Sequence, residues 1–190
     1  MLLVFGLAIA SFVHAHDDDV CDGVTNKELL TCTGNGYQEA DKILNETYKM
    51  LIARLNVDKV SQLKLAQRKW ISFKEKFCKS IYNETYPGKE AAIERNGCLW
   101  KLTKNRTIEL TRIHNAAVGK GDDDYLSEAL NVLEAKGHDK EIMRESYKSM
   151  YSDEKDWMSY TNASCDFTEK LLNEDRDTCL IRLNCARSYY

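Results

Sequence analysis

Apolar residues recur at steps of three and four along most of this chain, which is the spacing of one buried face of an α-helix. Three long stripes of this kind occupy residues 37–55, 60–77 and 99–113. The chain holds a single proline and few glycines, so little interrupts these stripes. We therefore predict an all-α fold without a sheet of consequence.

Local signals divide the first part of the chain into helices. Thr25 and Glu28 have the spacing of a helix capping box, which marks the start of the first helix. Gly34 and Gly36 are expected to weaken this helix locally, because glycine is a poor helix former. Residues 56–58 predict a turn, so that the first two stripes form a helical hairpin.

Shorter stripes predict further helices in the second part. We expect them over residues 125–136, over 139–164 and near 167–187, with Gly137 as the C-cap of the first. The glycine- and aspartate-rich segment 119–124 has the composition of a linker.

A cysteine-bearing pattern occurs twice. Its first copy has Trp70 followed by Cys78, and then Cys98 followed by Arg106; the second has Trp157 before Cys165, and Cys179 before Arg187. Each Trp-to-Cys step and each Cys-to-Arg step is eight residues. The second part is therefore interpreted as a degenerate copy of the first.

The N-terminal segment and the linker set the predicted domain boundaries. Residues 1–15 are mostly apolar and lack Asp, Glu, Lys and Arg, so we predict a secretory signal peptide cleaved after Ala15. A buried helix is the alternative, and the run is too short for a membrane span. Residues 16–118 would then form a disulfide-stabilised helical hairpin or bundle, and 125–190 a second, smaller helical module.

The two modules carry opposite charge. Residues 20–120 contain 18 Lys and Arg against 11 Asp and Glu, a net +7. Residues 121–190 contain 9 against 16, a net −7. The modules could dock on each other, or the acidic one could face a basic partner; two separately solvated surfaces are the alternative.

Seven cysteines in a secreted chain are expected to be mostly paired. The repeat favours one scheme, because the second copy retains equivalents of only two of the first four cysteines. A hairpin turning near residue 56 would bring Cys32 opposite Cys78 and leave Cys98 for Cys21, so connectivity stays open. The favoured scheme pairs Cys21 with Cys32, Cys78 with Cys98 and Cys165 with Cys179, and leaves Cys185 unpaired or bridged to another chain.

An ordered set of residues over 21–113 resembles the secreted lysozyme inhibitor LprI-like family. The set comprises Cys21, Thr25, Glu28, Cys32, Ala40, Asp41, Leu44, Asn45, Tyr48, Ala66–Ile71, Cys78, Gly97–Leu99, Thr103, Arg106 and Leu110. The resemblance implies a small all-helical domain with two disulfides and, as the founding activity, inhibition of lysozyme. The second part keeps few of these residues, which puts a shared activity of that half in doubt.

Six residues of these patterns are assigned structural roles. Trp70 belongs to a core stripe, and Trp157 is interpreted in the same way. Asn45 and Gln67 lie beside stripes and could hydrogen-bond across the hairpin. Arg106 lies on a core-facing stripe and needs a carboxylate partner, for which we propose Asp41; a surface role for both is the alternative.

The sequence lacks the patterns of an enzyme or a metal site. It has no phosphate-binding loop, nucleophile elbow or His-Glu-x-x-His pattern, and no Cys/His spacing of a zinc site. We expect a secreted (periplasmic or extracellular), non-enzymatic protein without catalytic, metal or cofactor residues. Its expected partner is lysozyme or another secreted protein, without nucleic acid or a membrane span; a helical scaffold with another partner is the alternative.

Overall fold

The computed structural model describes residues 21–23, 25–120, 125–135, 137 and 139–188. These residues form seven helices and no strand, which confirms the all-α prediction. The helices are α1 (Asn26–Ile52), α2 (Val57–Thr85), α3 (Ala91–Ala117), α4 (Tyr125–Ala135), α5 (Lys140–Ser149), α6 (Lys155–Leu172) and α7 (Arg176–Ser188).

Two sequence predictions fall on other parts of the chain. The predicted signal peptide, 1–15, lies outside the described residues, as do positions 121–124 of the predicted linker. Both stay predictions.

The first two helices begin at side-chain caps. Thr25 Oγ1 accepts a hydrogen bond from the Glu28 N–H at 3.2 Å, and Glu28 Oε2 accepts one from the Thr25 N–H at 2.9 Å, which confirms the capping box. The Asn56 side chain accepts from the Lys59 N–H at 3.0 Å and starts α2. The turn is therefore 53–56, slightly earlier than predicted.

The glycines of α1 do not interrupt it. α1 runs without a break through Gly34 and Gly36; the predicted local weakening of its stability stays a prediction. A Cβ atom on Gly36 would lie 2.5 Å from the Trp100 ring of α3. The absent side chain therefore allows α1 and α3 to approach closely.

The predicted helix over 139–164 is wrong, because the structure has two helices there. α5 ends at Ser149, and α6 starts at Lys155 and continues to Leu172. Tyr151, between them, adopts a left-handed backbone with φ of 62°. The Asn184 amide of α7 donates to the Tyr147 and Met150 carbonyls at 2.7 and 3.0 Å, which stabilises this turn through a contact from a distant part of the sequence.

One hydrophobic core joins both parts of the chain. α1 packs mainly on α3, α2 packs on α3 and α6, and α7 packs on α5 and α6. Side chains from α1, α2, α3, α6 and α7 form the main cluster. The two-module division at 119–124 stays a prediction, but the second part lies directly against the first.

Three cysteine pairs lie at disulfide distance in the described chain. They are Cys21–Cys32, Cys78–Cys98 and Cys165–Cys179, with Cα–Cα distances of 5.9, 5.6 and 5.6 Å. These are the pairs of the favoured scheme; the second links α2 to the following helix α3, and the third links α6 to α7. Cys185 is buried in a smaller cluster, with Leu126, Leu130, Tyr147 and Ile181.

The two α1 glycines offer a matched test of this packing. Gly36→Ala should lower stability by about 1–3 kcal/mol, because the new methyl group overlaps the Trp100 ring. Gly34→Ala should be neutral or gain up to about 1 kcal/mol from helix propensity, since its Cβ would lie 3.4 Å from the Asn96 side chain. Urea unfolding of both variants measures the difference, and equal stabilities would contradict the close α1–α3 approach.

Candidate functional site

A buried polar cluster lies where α2, α3, α6 and α7 meet, and the motif residue Arg106 is at its centre. Arg106 is only 2% exposed. Its Nε donates to Gln67 Oε1 and its Nη1 to the Tyr160 hydroxyl, both at 3.0 Å. Its guanidinium also lies 5.3 Å from the Tyr160 ring centroid. Arg106 therefore links α3 to both α2 and α6.

The predicted Arg106–Asp41 pair is wrong. Asp41 Oδ2 accepts a hydrogen bond from Asn45 Nδ2 at 2.9 Å, one turn further along the same helix. Asn45 is exposed and does not reach across the hairpin, whereas Gln67 does bond to another helix. The physical reason is that the face of α3 carrying Arg106 points towards α6, which the sequence stripe alone does not show.

The carboxylates of the cluster come from Glu109 and Glu174. Glu109 is buried one turn after Arg106, and its Oε2 accepts a short hydrogen bond from Arg182 of α7. Arg112 Nε lies 3.7 Å from the same oxygen, and Arg182 Nε donates to Glu174 at 2.8 Å. This group joins α3, α7 and the turn before α7.

Burial and nearby charges together shift the pKa values of Glu109 and Tyr160 in this cluster. Burial by itself raises the pKa of Glu109, but the charges of Arg182, Arg112 and Arg106 outweigh burial and hold that pKa below its ordinary value. Burial raises the pKa of Tyr160, against the opposing charge of Arg106. Glu109 is therefore ionised and Tyr160 neutral near pH 7.

The second repeat arginine, Arg187, is enclosed by aromatic rings. Its guanidinium carbon lies 3.9 Å from the Tyr151 ring centroid, and its Nη2 donates to Glu154 at 2.7 Å. The other three ring centroids within 5 Å belong to Phe73, Phe77 and Trp157. Such cation–π contacts are strongest when water is excluded, as it is here.

Each of the two motif arginines contacts the half of the protein to which it does not belong. Arg106 of α3 lies against Tyr160 of α6, and Arg187 of α7 lies against Phe73 of α2. Tyr160 follows Trp157 by three residues, as Phe73 follows Trp70. The duplication itself stays a prediction, but the positions that it equates make matching contacts across the α2–α6 interface.

A small cavity of about 30 Å³ lies within this interface. Most of its lining consists of positions that the repeat equates: Trp70 and Trp157, Leu102 and Leu183, Asn105 and Ala186, and Arg106 and Arg187, with Glu109 and Tyr160 completing it. Asn105 Nδ2 donates across it to the Ala186 carbonyl at 2.8 Å.

Sequence reasoning missed several members of this cluster. Glu109 was detectable, because it lies three residues after Arg106 and so shares its helix face. Tyr160 was also detectable, from its position three residues after a repeat tryptophan. Glu174 and Arg182 had no local signal, because only the packing of α7 brings them to α3.

A separate, exposed surface lies where the α1–α2 turn meets the end of α6. Lys59 Nζ of α2 donates a short hydrogen bond to the Lys170 carbonyl, which holds the two ends together. We call this region the tip surface; its exposed side chains include Val57 and Asp58 at the start of α2, Arg54 in the turn before it, and Glu169, Lys170 and Asp175 at and just after the end of α6. Hydrogen bonds from the Thr178 N–H and hydroxyl lower the pKa of Asp175, so this carboxylate is charged.

The described part of the chain lacks two other kinds of feature, a cluster of metal ligands and a membrane-spanning helix. It contains no group of three or more His, Cys, Asp or Glu side chains placed to hold a metal ion. None of its helices combines the length and apolarity needed to cross a membrane.

Fold and site together define a class: a small, disulfide-linked, all-helical domain whose polar centre is buried and structural. Residues 21–110 match the family model described as "Lysozyme inhibitor LprI". The chain belongs to this family, and the match confirms the predicted resemblance over the first part; it does not extend to the second.

One curated relative is an uncharacterised protein of Rhizobium meliloti (strain 1021). It is 30% identical over 114 residues, which cover 53% of this chain and 82% of the relative. No solved structure matches this chain significantly.

Arg106 and Asp41 provide a direct test of the corrected contact. Arg106→Ala should cost about 2–3 kcal/mol of stability, because it leaves Gln67 and Tyr160 without their buried partner. Asp41→Ala should change stability by no more than about 0.5 kcal/mol, since it loses one exposed contact within a helix. Denaturant unfolding compares them; equal losses would support the original Asp41 pairing instead.

The Glu109 carboxylate predicts acid sensitivity. Its folded-state pKa lies below the unfolded value of about 4.3, so the folded state binds the proton less readily. Its stabilisation is complete above about pH 4.3 and is lost as the pH falls through the lower folded value. Melting temperatures between about pH 2.5 and 6 should therefore fall more steeply for the wild type than for Glu109→Gln. Glu39→Gln, an exposed control, should retain the wild-type slope.

Proposed function

We propose that this protein is a secreted, non-enzymatic inhibitor that binds a lysozyme and blocks its sugar-binding cleft. The observation that carries the proposal is the family match over residues 21–110. Three disulfides are typical of a protein that works in the periplasm or outside the cell, where lysozymes act.

Inhibition of this kind needs no chemistry from the inhibitor. Lysozyme cleaves its substrate with two carboxyl groups on either side of the scissile bond, so covering the cleft is sufficient. A stable interface of standard size buries on the order of 1,600 Å². The buried arginine cluster then acts as the support of the binding surface and does not itself touch the partner.

The tip surface is the contact that we infer. Val57 is 82% exposed at the start of α2, within the family-matched residues. The ends of two long helices form a convex surface, and an exposed apolar side chain there can insert into a concave cleft. Asp58 follows it directly, in the first turn of the same helix.

Contact with a basic lysozyme requires carboxylates near the tip surface, and the packing of the second half supplies them. The family-matched half is basic by sequence. Many lysozymes are also basic, so that half alone would repel them. Glu169 and Asp175 come from the acidic half, and the Lys59–Lys170 bond holds that region beside the α1–α2 turn. Both halves therefore contribute carboxylates to the tip surface, where they accompany the cations Arg54 and Lys170.

A scaffold that binds an anionic polymer is the second candidate. An open depression of about 460 Å³ is lined by Glu75, Lys76, Lys79, Tyr82 and Arg95. Lys76 pairs with Asp156 at 2.6 Å, and Arg95 pairs with Glu75 at 3.4 Å. Since two of its three cations are neutralised within the protein, the depression has little positive charge left for an anionic partner.

A lysozyme activity assay with the mature protein tests the proposal. We expect inhibition at micromolar excess, and loss of about tenfold or more in affinity for Val57→Arg, because a long, charged side chain replaces the exposed apolar one at the centre of the inferred contact. Inhibition should also weaken as salt rises from about 50 to 300 mM, since screening reduces the attraction between the tip-surface carboxylates and a basic enzyme.

Ile142→Arg is the matched control. Ile142 is also an exposed apolar residue, 69% accessible, but it lies on α5, outside the tip surface. It should inhibit like the wild type. Absence of inhibition by the wild type would refute the function; loss of inhibition in Ile142→Arg alone would refute only the tip surface.

A further inference from the structure

Several polar atoms of the residues that line the cavity between the two halves lack hydrogen-bond partners among the described residues. Arg106 Nη2, Arg187 Nη1 and Glu109 Oε1 are buried atoms with no hydrogen-bond partner among the described residues. All three residues line the cavity of about 30 Å³. The two guanidinium groups are donors, and leaving their N–H groups unsatisfied is costly, so a bound acceptor that serves them is expected. The Glu109 oxygen is itself an acceptor and needs a donor instead.

The charge of the nearest groups is positive. Arg187 is balanced by Glu154 at 2.7 Å, and Glu109 is bonded to Arg182. Among the described residues, Arg106 hydrogen-bonds to two neutral groups, the Gln67 amide and the Tyr160 hydroxyl, and the charge of Arg106 acts on the Glu109 carboxylate one turn away. Four arginines of the described chain (Arg106, Arg112, Arg182 and Arg187) face three carboxylates (Glu109, Glu154 and Glu174) in and beside the cluster, so one positive charge is in excess. This excess favours a bound anion, because an uncompensated buried charge is strongly destabilising.

Size and wall chemistry restrict the anion. A site of about 30 Å³ has room for one or two particles of the size of a water molecule, which favours a monatomic anion over phosphate, sulfate or a carboxylate ligand. Besides the polar atoms, the walls are the rings of Trp70 and Trp157 and the side chains of Leu102 and Leu183. A monatomic, polarisable ion fits such mixed walls better than a strongly hydrated one.

We propose that this cavity is a chloride-binding site shared by the two halves of the protein. Arg106 Nη2 and Arg187 Nη1, one from each half, donate to the ion. The halide offsets the charge of Arg106 and couples the docking of α6 and α7 on α2 and α3 to the anion in solution. The site is independent of the tip surface and of any lysozyme contact.

Bromide in place of chloride gives a direct readout. Crystals of the mature wild-type chain grown with sodium bromide should show an anomalous-scattering peak in the cavity, within hydrogen-bond distance of Arg106 and Arg187. The same chain should melt about 3 °C or more higher in sodium chloride or bromide than in sodium gluconate at equal ionic strength, since binding to the folded state alone stabilises it.

Two variants separate binding from general salt effects. Arg106→Gln should lose the difference between chloride and gluconate, whereas Lys76→Gln, which removes an exposed cation, should keep it. An internal water only is the competing outcome. Absence of the bromide peak in wild-type crystals, or equal melting temperatures in chloride and gluconate, would overturn the chloride site, and neither result depends on a variant that folds.

Discussion

The burial of Arg106 is the constraint on which the rest of the structure depends. A guanidinium on a core-facing helix stripe must find polar partners, and here they come from Gln67 of α2 and Tyr160 of α6. The first partner lies in the family-matched part, and the second lies outside it. Satisfying one side chain therefore ties α6 to the α2–α3 pair.

Arg187 imposes the reciprocal constraint. Its guanidinium is held between Phe73 and Phe77 of α2 and two rings from the second half. Each half thus contributes an arginine to the aromatic side chains of the other. Because these contacts are reciprocal, the α2–α6 interface resembles the interface of a two-fold symmetric dimer more than that of two linked, independent domains.

The groups that stabilise the fold are different from the groups that a partner could contact. The charged groups of the central cluster, such as Glu109, are buried and bonded to other protein groups, so they act in folding. The exposed groups that a partner could contact lie at the helix ends, where neither core packing nor disulfides restrict them. Family membership consequently says more about the scaffold than about the surface that acts, as is general for folds that carry varied functions.

The sequence by itself determined the helical class, the capping box at Thr25, the core stripes and the family of the first part. These depend on local spacing, which a linear pattern records directly. Tertiary structure decided what local spacing cannot contain: the partners of Arg106, the break at Tyr151 and the role of Gly36. Each of these results from contacts between helices distant in sequence, and the direction in which a helix face points is set only when all helices pack together.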